Sequence, residues 1–223
     1  MPAPTGPVAV LCSGGLDSAV LLVEMARATG RSIPLFVRAG HVWEAKERTA
    51  LDRFVAAVGD ARIDPVRELA VPMQDVYGAH WSMTGRDAPG WDAPDAEVEL
   101  RGRNLVLLPK PLVLAATCGW PTLALGSLAG NPFPDATPTF FAALAAVASE
   151  GLRTSLAVVT PFRDLTKADV IRRGAALPLE HTLSCLTPDA DLVHCGDCNK
   201  CRERADAFAA AGVADRTRYA RLR

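Results

Sequence analysis

Short apolar runs alternate along the chain with longer segments in which apolar residues recur every three or four positions. A short apolar run bounded by turn residues is typical of a buried strand, and the longer spacing is typical of an amphipathic helix. We therefore predict strands at 8–12, 33–37, 122–126 and 155–161. Helices are predicted at 16–29, 43–58, 105–118, 138–150 and 165–175. This alternation predicts an α/β domain with a parallel sheet that is covered by helices on both faces.

Two polar segments interrupt the alternation. Residues 72–104 are rich in Pro, Gly, Asp and Trp and show no period, which predicts a long loop with room for a short helix. Residues 127–138 form a second irregular segment between a predicted strand and a predicted helix. The tryptophans are expected to pack within the fold. Trp81 and Trp91, both in the first loop, are the candidates for a lid over a bound substrate.

Composition narrows the class of protein. With 223 residues, 49% of them hydrophobic, the chain can bury one sizeable core, alone or with a small appendage. The formal net charge of -1 provides no positive field and argues against nucleic acid as a partner. No apolar stretch approaches the ~20 residues of a membrane helix, and residues 1–10 lack the features of a signal peptide. We therefore expect a cytoplasmic protein with no membrane partner.

The stretch Ser-Gly-Gly-Leu-Asp-Ser follows the first predicted strand and opens the first predicted helix. Its glycines allow a tight turn that exposes backbone N–H groups, and the positive end of the helix dipole points to the same place. Asp17 lies beside this anion site and makes chemical sense if Mg²⁺ joins it to a phosphate. The alternative is a local one, in which Ser13 caps the helix and Asp17 is an acid of the first turn.

This six-residue stretch resembles the pyrophosphate loop of the PP-loop ATP-pyrophosphatase superfamily. The resemblance implies that ATP is cleaved between its α and β phosphates, while an oxygen of the substrate becomes adenylylated. It also implies that the loop holds ATP with Mg²⁺ and then the departing pyrophosphate. The loop residues are Ser13, Gly14, Gly15, Leu16, Asp17 and Ser18, of which Asp17 and Ser18 are the candidate catalytic residues.

Four of the six cysteines lie close together near the end of the chain. Cys185, Cys195, Cys198 and Cys201 have the spacing C-x9-C-x2-C-x2-C, which can supply four thiolates to one structural Zn²⁺. The alternatives are free thiols, or sulfur chemistry by Cys198 and Cys201. His181 and His194 flank the cluster and are expected to be bystanders or to support the ligands. Cys12 and Cys118 are expected to be small buried residues.

The tail at 182–219 resembles the C-terminal signature of the 7-cyano-7-deazaguanine synthase family. Further matches occur at 102–104, 160–170 and 40–47, in the order in which the family has them. The resemblance implies an adenine-nucleotide α-hydrolase-like (HUP/Rossmann-like) domain at 1–180 and a zinc-binding segment at 181–223, in a homodimer. It implies a ligase that converts 7-carboxy-7-deazaguanine, ammonia and ATP into the nitrile, with release of AMP and pyrophosphate.

Three further residues are candidates for the site. Lys167 lies in the first turn of a predicted helix that Thr166 caps, where a cation opposes the dipole at a cost of some tenths of a kcal/mol up to ~1. A catalytic contact with phosphate would explain it, and an exposed lysine without a role is the alternative. Arg103 and Asn104 precede an apolar helix and are candidates for nucleotide or substrate binding, although Asn104 would also serve as a helix cap.

One segment departs from the family pattern. Residues 127–141 keep Pro134, Asp135 and Phe140 but lack the family's first aspartate, its tyrosine and its Cys-Arg pair. These departures concern the segment expected to bind the substrate, so alternatives to the family's reaction stay open. One alternative is an enzyme that stops at the amide or transfers the acyl group to another amine, including one on a protein. A tRNA thiolase and a zinc-stabilised nucleotide-binding module without turnover are the other two.

Overall fold

The computed structural model describes residues 6–221 and residue 223 of the chain. Within these residues, five parallel strands form one sheet in the order β3-β2-β1-β4-β5. The strands are β1 (Val8–Leu11), β2 (Ser32–Arg38), β3 (Arg67–Ala70), β4 (Thr122–Ala124) and β5 (Ala157–Val159). The expected α/β architecture is confirmed. The expectation that residues 1–10 lack a signal peptide falls partly outside the described residues, and the predicted domain boundary after residue 180 stays a prediction.

Helices lie in the segments where they are predicted: α1 (Leu16–Thr29), α2 (Glu44–Val58), α5 (Arg103–Leu107), α6 (Pro109–Cys118), α7 (Pro138–Leu152) and α8 (Lys167–Arg173). A further helix, α9 (Asn199–Ala211), begins directly after Cys198 in the tail. The helix predicted at 105–118 is two helices, because Pro109 has no N–H group to continue the hydrogen bonding of the first. The predicted loop at 72–104 contains α3 (Gln74–Tyr77), α4 (Trp81–Thr84) and a 3-10 turn at Asp95–Val98.

The core lies on both faces of the sheet. Val8 and Val10 of β1 point to one face, where they pack with residues of α1, α2, α8 and α9. Ala9 points to the other face, which α6 and α7 cover. Trp43 and Trp120 are buried, as expected for packing residues. Cys12 is buried as predicted, but Cys118 is exposed, because it is the last residue of α6 and lies beyond Ala115, which packs on the sheet.

The order of the strands determines where a ligand can bind. β1 lies between β2 and β4 in the sheet. The helix that follows β2 packs on one face of the sheet, and the helix that follows β4 packs on the opposite face. In parallel sheets of this kind, ligands bind in the crevice beyond the carboxyl ends of the strands at this point. The Ser-Gly-Gly-Leu-Asp-Ser loop follows the carboxyl end of β1 directly. In the part of the chain that the structure describes, no helix is both long enough and apolar enough to cross a bilayer.

Candidate active site

The loop between β1 and α1 has a shape that depends on Gly14. Gly14 has a positive φ of 81°, which glycine adopts without strain. A Cβ atom at this position would collide with the backbone carbonyl of Glu47 on α2. Gly15 is the cap of α1, and the Ser13 hydroxyl accepts a hydrogen bond from its N–H at 3.3 Å. The alternative in which Ser13 caps the helix is therefore wrong.

A cavity of about 280 Å³ opens beside this loop, at the carboxyl ends of the strands. It is lined on one side by the loop and on the other by segments that follow β2 and β4 and by the start of α5. The polar side chains at its wall include Ser13, Asp17, Ser18, Glu47, Arg103 and Asn104. The structure thus brings the candidate residues of the loop together with Arg103 and Asn104 at one cavity.

Lys167, the first residue of α8, reaches the same loop. Its Nζ atom lies 3.2 Å from Oδ2 of Asp17 and 2.7 Å from Oε1 of Glu203 on α9, and Glu203 also pairs with Lys200 at 2.7 Å. Burial by itself would lower the pKa of Lys167, but the charges of Asp17 and Glu203 outweigh burial and raise it. The alternative of an exposed lysine is wrong, because the Lys167 side chain is largely buried, with only 15% of it exposed. The carboxylates of Asp17 and Glu203 offset the unfavourable interaction of the Lys167 charge with the dipole of α8.

The other oxygen of Asp17, Oδ1, is buried and has no hydrogen-bond partner among the described residues. A buried carboxylate oxygen without a partner is costly, so it points to a group that binds there. A divalent cation on a phosphate is a chemically suitable partner, since Mg²⁺ prefers carboxylate and phosphate oxygens. The contact of Lys167 with phosphate stays a prediction.

Arg103 and Asn104 are the first two residues of α5, and Asp135 holds Asn104. The backbone N–H of Asn104 donates to Oδ2 of Asp135 at 2.7 Å, and its side-chain amide donates to the backbone carbonyl of Asp135 at 3.0 Å. Asn104 is not the cap of the helix, because Gly102 occupies that position. Asp135 lies in the segment that departs from the family pattern, and it fixes the start of α5. Arg103 faces the cavity with a buried Nε atom that lacks a hydrogen-bond partner among the described residues.

His41 also lines the cavity, and the sequence alone did not single it out. The side chain is 7% exposed, and neither ring nitrogen has a hydrogen-bond partner among the described residues. Its ring stacks on Trp43 at 5.0 Å between centroids, and Trp43 stacks on Trp81 at 5.4 Å. Burial, together with the charges of Arg103 and His80, lowers the pKa of His41 to about 4, so the imidazole is neutral at pH 7.

Two glutamates of the first turn of α2 line the same cavity. Glu44 is buried, and its carboxylate accepts hydrogen bonds from the backbone N–H groups of Ala39 and Gly40, which fixes the turn after β2. Glu47 lies three residues further along the same turn, and its backbone packs against Gly14 of the loop between β1 and α1. Burial and the neighbouring Glu44 raise its pKa to about 8, although Arg103 and a hydrogen bond with Trp43 act in the opposite direction. The segment 40–47 was noted only for its family match.

The four cysteines predicted as ligands form one cluster. Their sulfur atoms all lie within 4.8 Å of one another, and Cys201 lies 3.5 Å from Cys198 and 3.9 Å from Cys195. Tetrahedral Zn²⁺ with Zn–S bonds of about 2.3 Å separates its sulfur ligands by roughly 3.8 Å, so these positions fit such an ion. The position of Cys198 and Cys201 within this cluster argues against their use in sulfur chemistry.

The flanking histidines lie outside the cluster. Nε2 of His194 accepts a hydrogen bond from the backbone N–H of Ser184 at 3.1 Å, which leaves it occupied within the tail. His181 belongs to a short 3-10 turn at Leu179–His181, before the first ligand.

The tail also reaches the phosphate loop, since the backbone N–H of Leu183 donates to the carbonyl of Gly14 at 2.9 Å. The cysteine cluster therefore supports a segment that contacts the loop.

The two candidate lid residues lie in different places. Trp81 is part of the aromatic stack on Trp43, behind His41. Trp91 packs on the cysteine cluster, where the neighbouring Gly90 pairs with Cys198. Neither indole is among the side chains that line the cavity. Trp91 therefore holds the long loop against the tail.

Comparison with known proteins places this geometry in context. The model of the family "Queuosine biosynthesis protein QueC" matches residues 7–212. A 7-cyano-7-deazaguanine synthase of Azoarcus sp. (strain BH72) is 34% identical over 221 residues, which cover 94% of this chain and 95% of that protein. The synthase of Syntrophobacter fumaroxidans (strain DSM 10017 / MPOB) is 32% identical over 229 residues, with 95% of each chain covered.

A solved structure shares the fold. A 4-thiouridine synthetase, solved in complex with RNA and with bound ATP, aligns with a TM-score of 0.51 and 14% sequence identity. The alignment covers 79% of this chain and 42% of that chain. At this identity the likeness concerns the fold alone.

Proposed function

The chain belongs to the QueC family of queuosine biosynthesis proteins, and from this membership we propose that it is an ATP-dependent ligase acting on 7-carboxy-7-deazaguanine. In this proposal the enzyme adenylylates the carboxylate and joins it to ammonia, which gives the amide and AMP. A second ATP then adenylylates the amide oxygen, and that oxygen leaves on AMP while the nitrogen gives up its two protons, which forms the nitrile, 7-cyano-7-deazaguanine. Each adenylylation releases one pyrophosphate. The observation that supports it best is a single cavity that contains both the phosphate loop and the unpartnered Nε atom of Arg103.

The first step forms an acyl-adenylate. An oxygen of the substrate carboxylate attacks the α phosphorus of ATP, and the bond from that phosphorus to the bridging oxygen breaks, with the electron pair leaving on pyrophosphate. The Ser18 hydroxyl donates to the backbone carbonyl of Gly15 at 3.1 Å and holds the start of α1. The negative charge that develops on the leaving group is stabilised by the N–H groups at the start of α1, by the Ser13 hydroxyl and by Lys167. These groups are fixed before ATP arrives, so little reorganisation accompanies the reaction.

Asp17 would hold the Mg²⁺ that accompanies ATP, through the Oδ1 atom that has no protein partner in the described residues. The cation supplies positive charge beside the phosphates. Arg103 would pair with the substrate carboxylate, since a guanidinium N–H is a strong donor to that group. Asp135 acts through Asn104, because it holds the start of α5 and thereby the position of Arg103.

The metal of the cysteine cluster is proposed to be one structural Zn²⁺ per chain. Four sulfur ligands complete the coordination of the ion and leave no open position for a reactant. Its contribution is therefore to the fold of the tail. The tail in turn supplies Glu203, which pairs with Lys167, and the backbone of Leu183, which contacts the loop.

The segment at 127–141 supports a second candidate function, in which the reaction has a different product. Here Asp135 is bound to Asn104 and does not reach a substrate freely, and the other polar residues of the family pattern are absent. The same active site would then stop at the amide, or would transfer the activated acyl group to a different amine, including one on a protein.

Product analysis distinguishes these outcomes. The protein is incubated with ATP, Mg²⁺, 7-carboxy-7-deazaguanine and ¹⁵N-labelled ammonium, and the deazaguanine products are identified by mass spectrometry. We expect the nitrile with one labelled nitrogen. Accumulation of the labelled amide favours the second outcome, and recovery of unchanged carboxylate in a reaction that produces no AMP contradicts the proposed ligase.

A further inference from the structure

Four carboxyl groups line the cavity, and three of them are already engaged. Asp17 pairs with Lys167, Glu44 accepts from the backbone N–H groups at the end of β2, and Asp135 accepts from Asn104. The fourth, Glu47, forms no ion pair with any residue that the structure describes. Apart from a hydrogen bond with Trp43, it is the carboxyl group of the cavity that no charged side chain and no backbone N–H group of the described residues engages.

The position of Glu47 relative to the phosphate loop is fixed by close packing. The backbone of Glu47 lies against Gly14 so tightly that a side chain at position 14 would not fit. Glu47 also lines the cavity, together with residues of the loop and of the start of α5. The cation that acts on its carboxyl group is Arg103, the residue proposed to pair with the substrate carboxylate. Glu47 thus shares one cavity with the phosphate loop and with the residue proposed to bind the substrate.

The electrostatic surroundings suit a group that exchanges a proton. Burial raises the pKa of Glu47 to about 8, so near neutral pH both the carboxylate and the acid are accessible. Glu44 raises the pKa further, and Arg103 lowers it. The charged or titratable side chains that share its cavity are Cys12, Asp17, His41, Glu44, Arg103 and Asp135.

A base is needed after the adenylate has formed. When an amine attacks the acyl carbon, its nitrogen becomes positively charged, and the adduct returns to the reactants unless that nitrogen loses a proton. His41 is a weak base because burial and nearby cations lower its pKa to about 4. Asp17 is paired with Lys167 and is committed to the phosphate side of the cavity.

We propose that Glu47 is the catalytic base of the amine-transfer step, an inference that rests on the adenylation proposed above. The nitrogen lone pair forms the C–N bond to the acyl carbon. The C–O bond to AMP breaks, and its electron pair stays on the phosphate oxygen of AMP. The proton released by the nitrogen is taken by the Glu47 carboxylate, which returns it to solvent between turnovers.

The test separates adenylation from amine transfer. Exchange of labelled pyrophosphate into ATP, in the presence of 7-carboxy-7-deazaguanine and without ammonia, reports adenylation alone. Formation of amide and nitrile, with ammonia present, reports the whole sequence. Both are measured for the wild type, Glu47→Gln, Glu47→Asp and Asp52→Asn, a matched control that changes an exposed carboxyl group on the same helix.

We expect Glu47→Gln to keep pyrophosphate exchange within threefold of the wild type and to lose amide formation by about 100-fold or more. Measured at a constant concentration of unprotonated amine, the wild-type rate of amide formation should rise as pH increases through about 8, and the variant should lose this rise. Asp52→Asn should match the wild type in both assays.

Other results overturn the proposal. If Glu47→Gln forms amide within threefold of the wild-type rate, no base at this position is needed. If exchange and amide formation fall equally in a folded variant, Glu47 acts before the amine arrives. Should Glu47→Gln not fold, Glu47→Asp decides, since a selective loss of amide formation supports the proposal and an equal loss of both activities contradicts it. Absence of carboxylate-dependent exchange in the wild type instead refutes the adenylation itself, and the proposal with it.

Discussion

The Nζ atom of Lys167 lies 3.2 Å from the Oδ2 atom of Asp17, which joins the first turn of α8 to the phosphate loop. The two residues are far apart in sequence, and both side chains are largely buried. The second oxygen of Asp17, Oδ1, has no hydrogen-bond partner among the described residues, and we propose that a cation binds there while the Lys167 ammonium group contacts phosphate. In this proposal α1 and α8 together set the charge of the phosphate site.

Replacing Lys167 with methionine should disable the phosphate site. The change keeps most of the apolar stem but removes the charge that would stabilise departing pyrophosphate, so we expect pyrophosphate release to fall by about 100-fold or more. Stopped assays of pyrophosphate formation with ATP and 7-carboxy-7-deazaguanine measure it. Lys110→Met is the matched control, because Lys110 is exposed and binds the carbonyl of Ala70 outside the cavity. A Lys167→Met rate within threefold of the wild type would argue against a role for this cation.

Gly14 should tolerate alanine much less than other glycines of positive φ. Gly30, with φ of 79°, has open space where a Cβ atom would lie, whereas at Gly14, with φ of 81°, that space is filled by the Glu47 backbone. We expect Gly30→Ala to cost roughly 1–2 kcal/mol of unfolding free energy through backbone strain alone. Gly14→Ala should cost more and should also abolish pyrophosphate release. Equal losses of stability in urea unfolding would show that the contact with Glu47 is unimportant.

Stability should fall in mild acid because of His41. Its pKa is lowered from 6.5 to about 4 in the folded chain, so the unfolded chain takes up a proton first as pH falls. The free energy of unfolding should therefore decrease between about pH 6.5 and pH 4, by roughly 3 kcal/mol from this residue. In His41→Gln this contribution is absent, and urea unfolding at pH 7 and pH 5 should differ less than in the wild type. An unchanged pH dependence would contradict the neutral buried imidazole.

The cysteine cluster should bind one zinc ion per chain and should be needed for a stable tail. Metal analysis of purified protein tests the first point, and Cys201→Ser should lower both the zinc content and the midpoint of thermal unfolding. Cys118→Ser, which changes an exposed cysteine outside the cluster, should alter neither quantity. Protein without zinc whose four cysteines are freely alkylated would refute the site.

Features formed by residues that are close together in the sequence could be predicted from the sequence. The phosphate loop is contiguous, and the cysteine ligands lie within 185–201, so both could be read from the sequence before the fold was known. The strands buried on both faces were found because their side chains are apolar. β3 was missed because it is a largely exposed edge strand, with Arg67 and Glu68 among its residues.

Features of the site that depend on tertiary contacts were not predictable in this way. Lys167 is a candidate for the site because it forms ion pairs with Asp17 and Glu203, which belong to two other helices. In the sequence, Glu47 is one of several acidic residues on an amphipathic helix. Only the fold brings it against Gly14 and to the wall of the cavity. The two largest influences on its pKa are burial and the charge of Arg103 on α5, and the sequence around Glu47 reports neither of them.

The most direct test of the account is the identity of the nucleotide products. Purified protein is incubated with ATP, Mg²⁺ and ammonia, with and without 7-carboxy-7-deazaguanine, and the nucleotides are separated chromatographically while pyrophosphate is quantified. The account predicts AMP and pyrophosphate in equal amounts, formed with the carboxylate present, lost in Asp17→Asn and retained in Asp52→Asn. Formation of ADP and phosphate, or of AMP at a rate independent of the carboxylate, would contradict it.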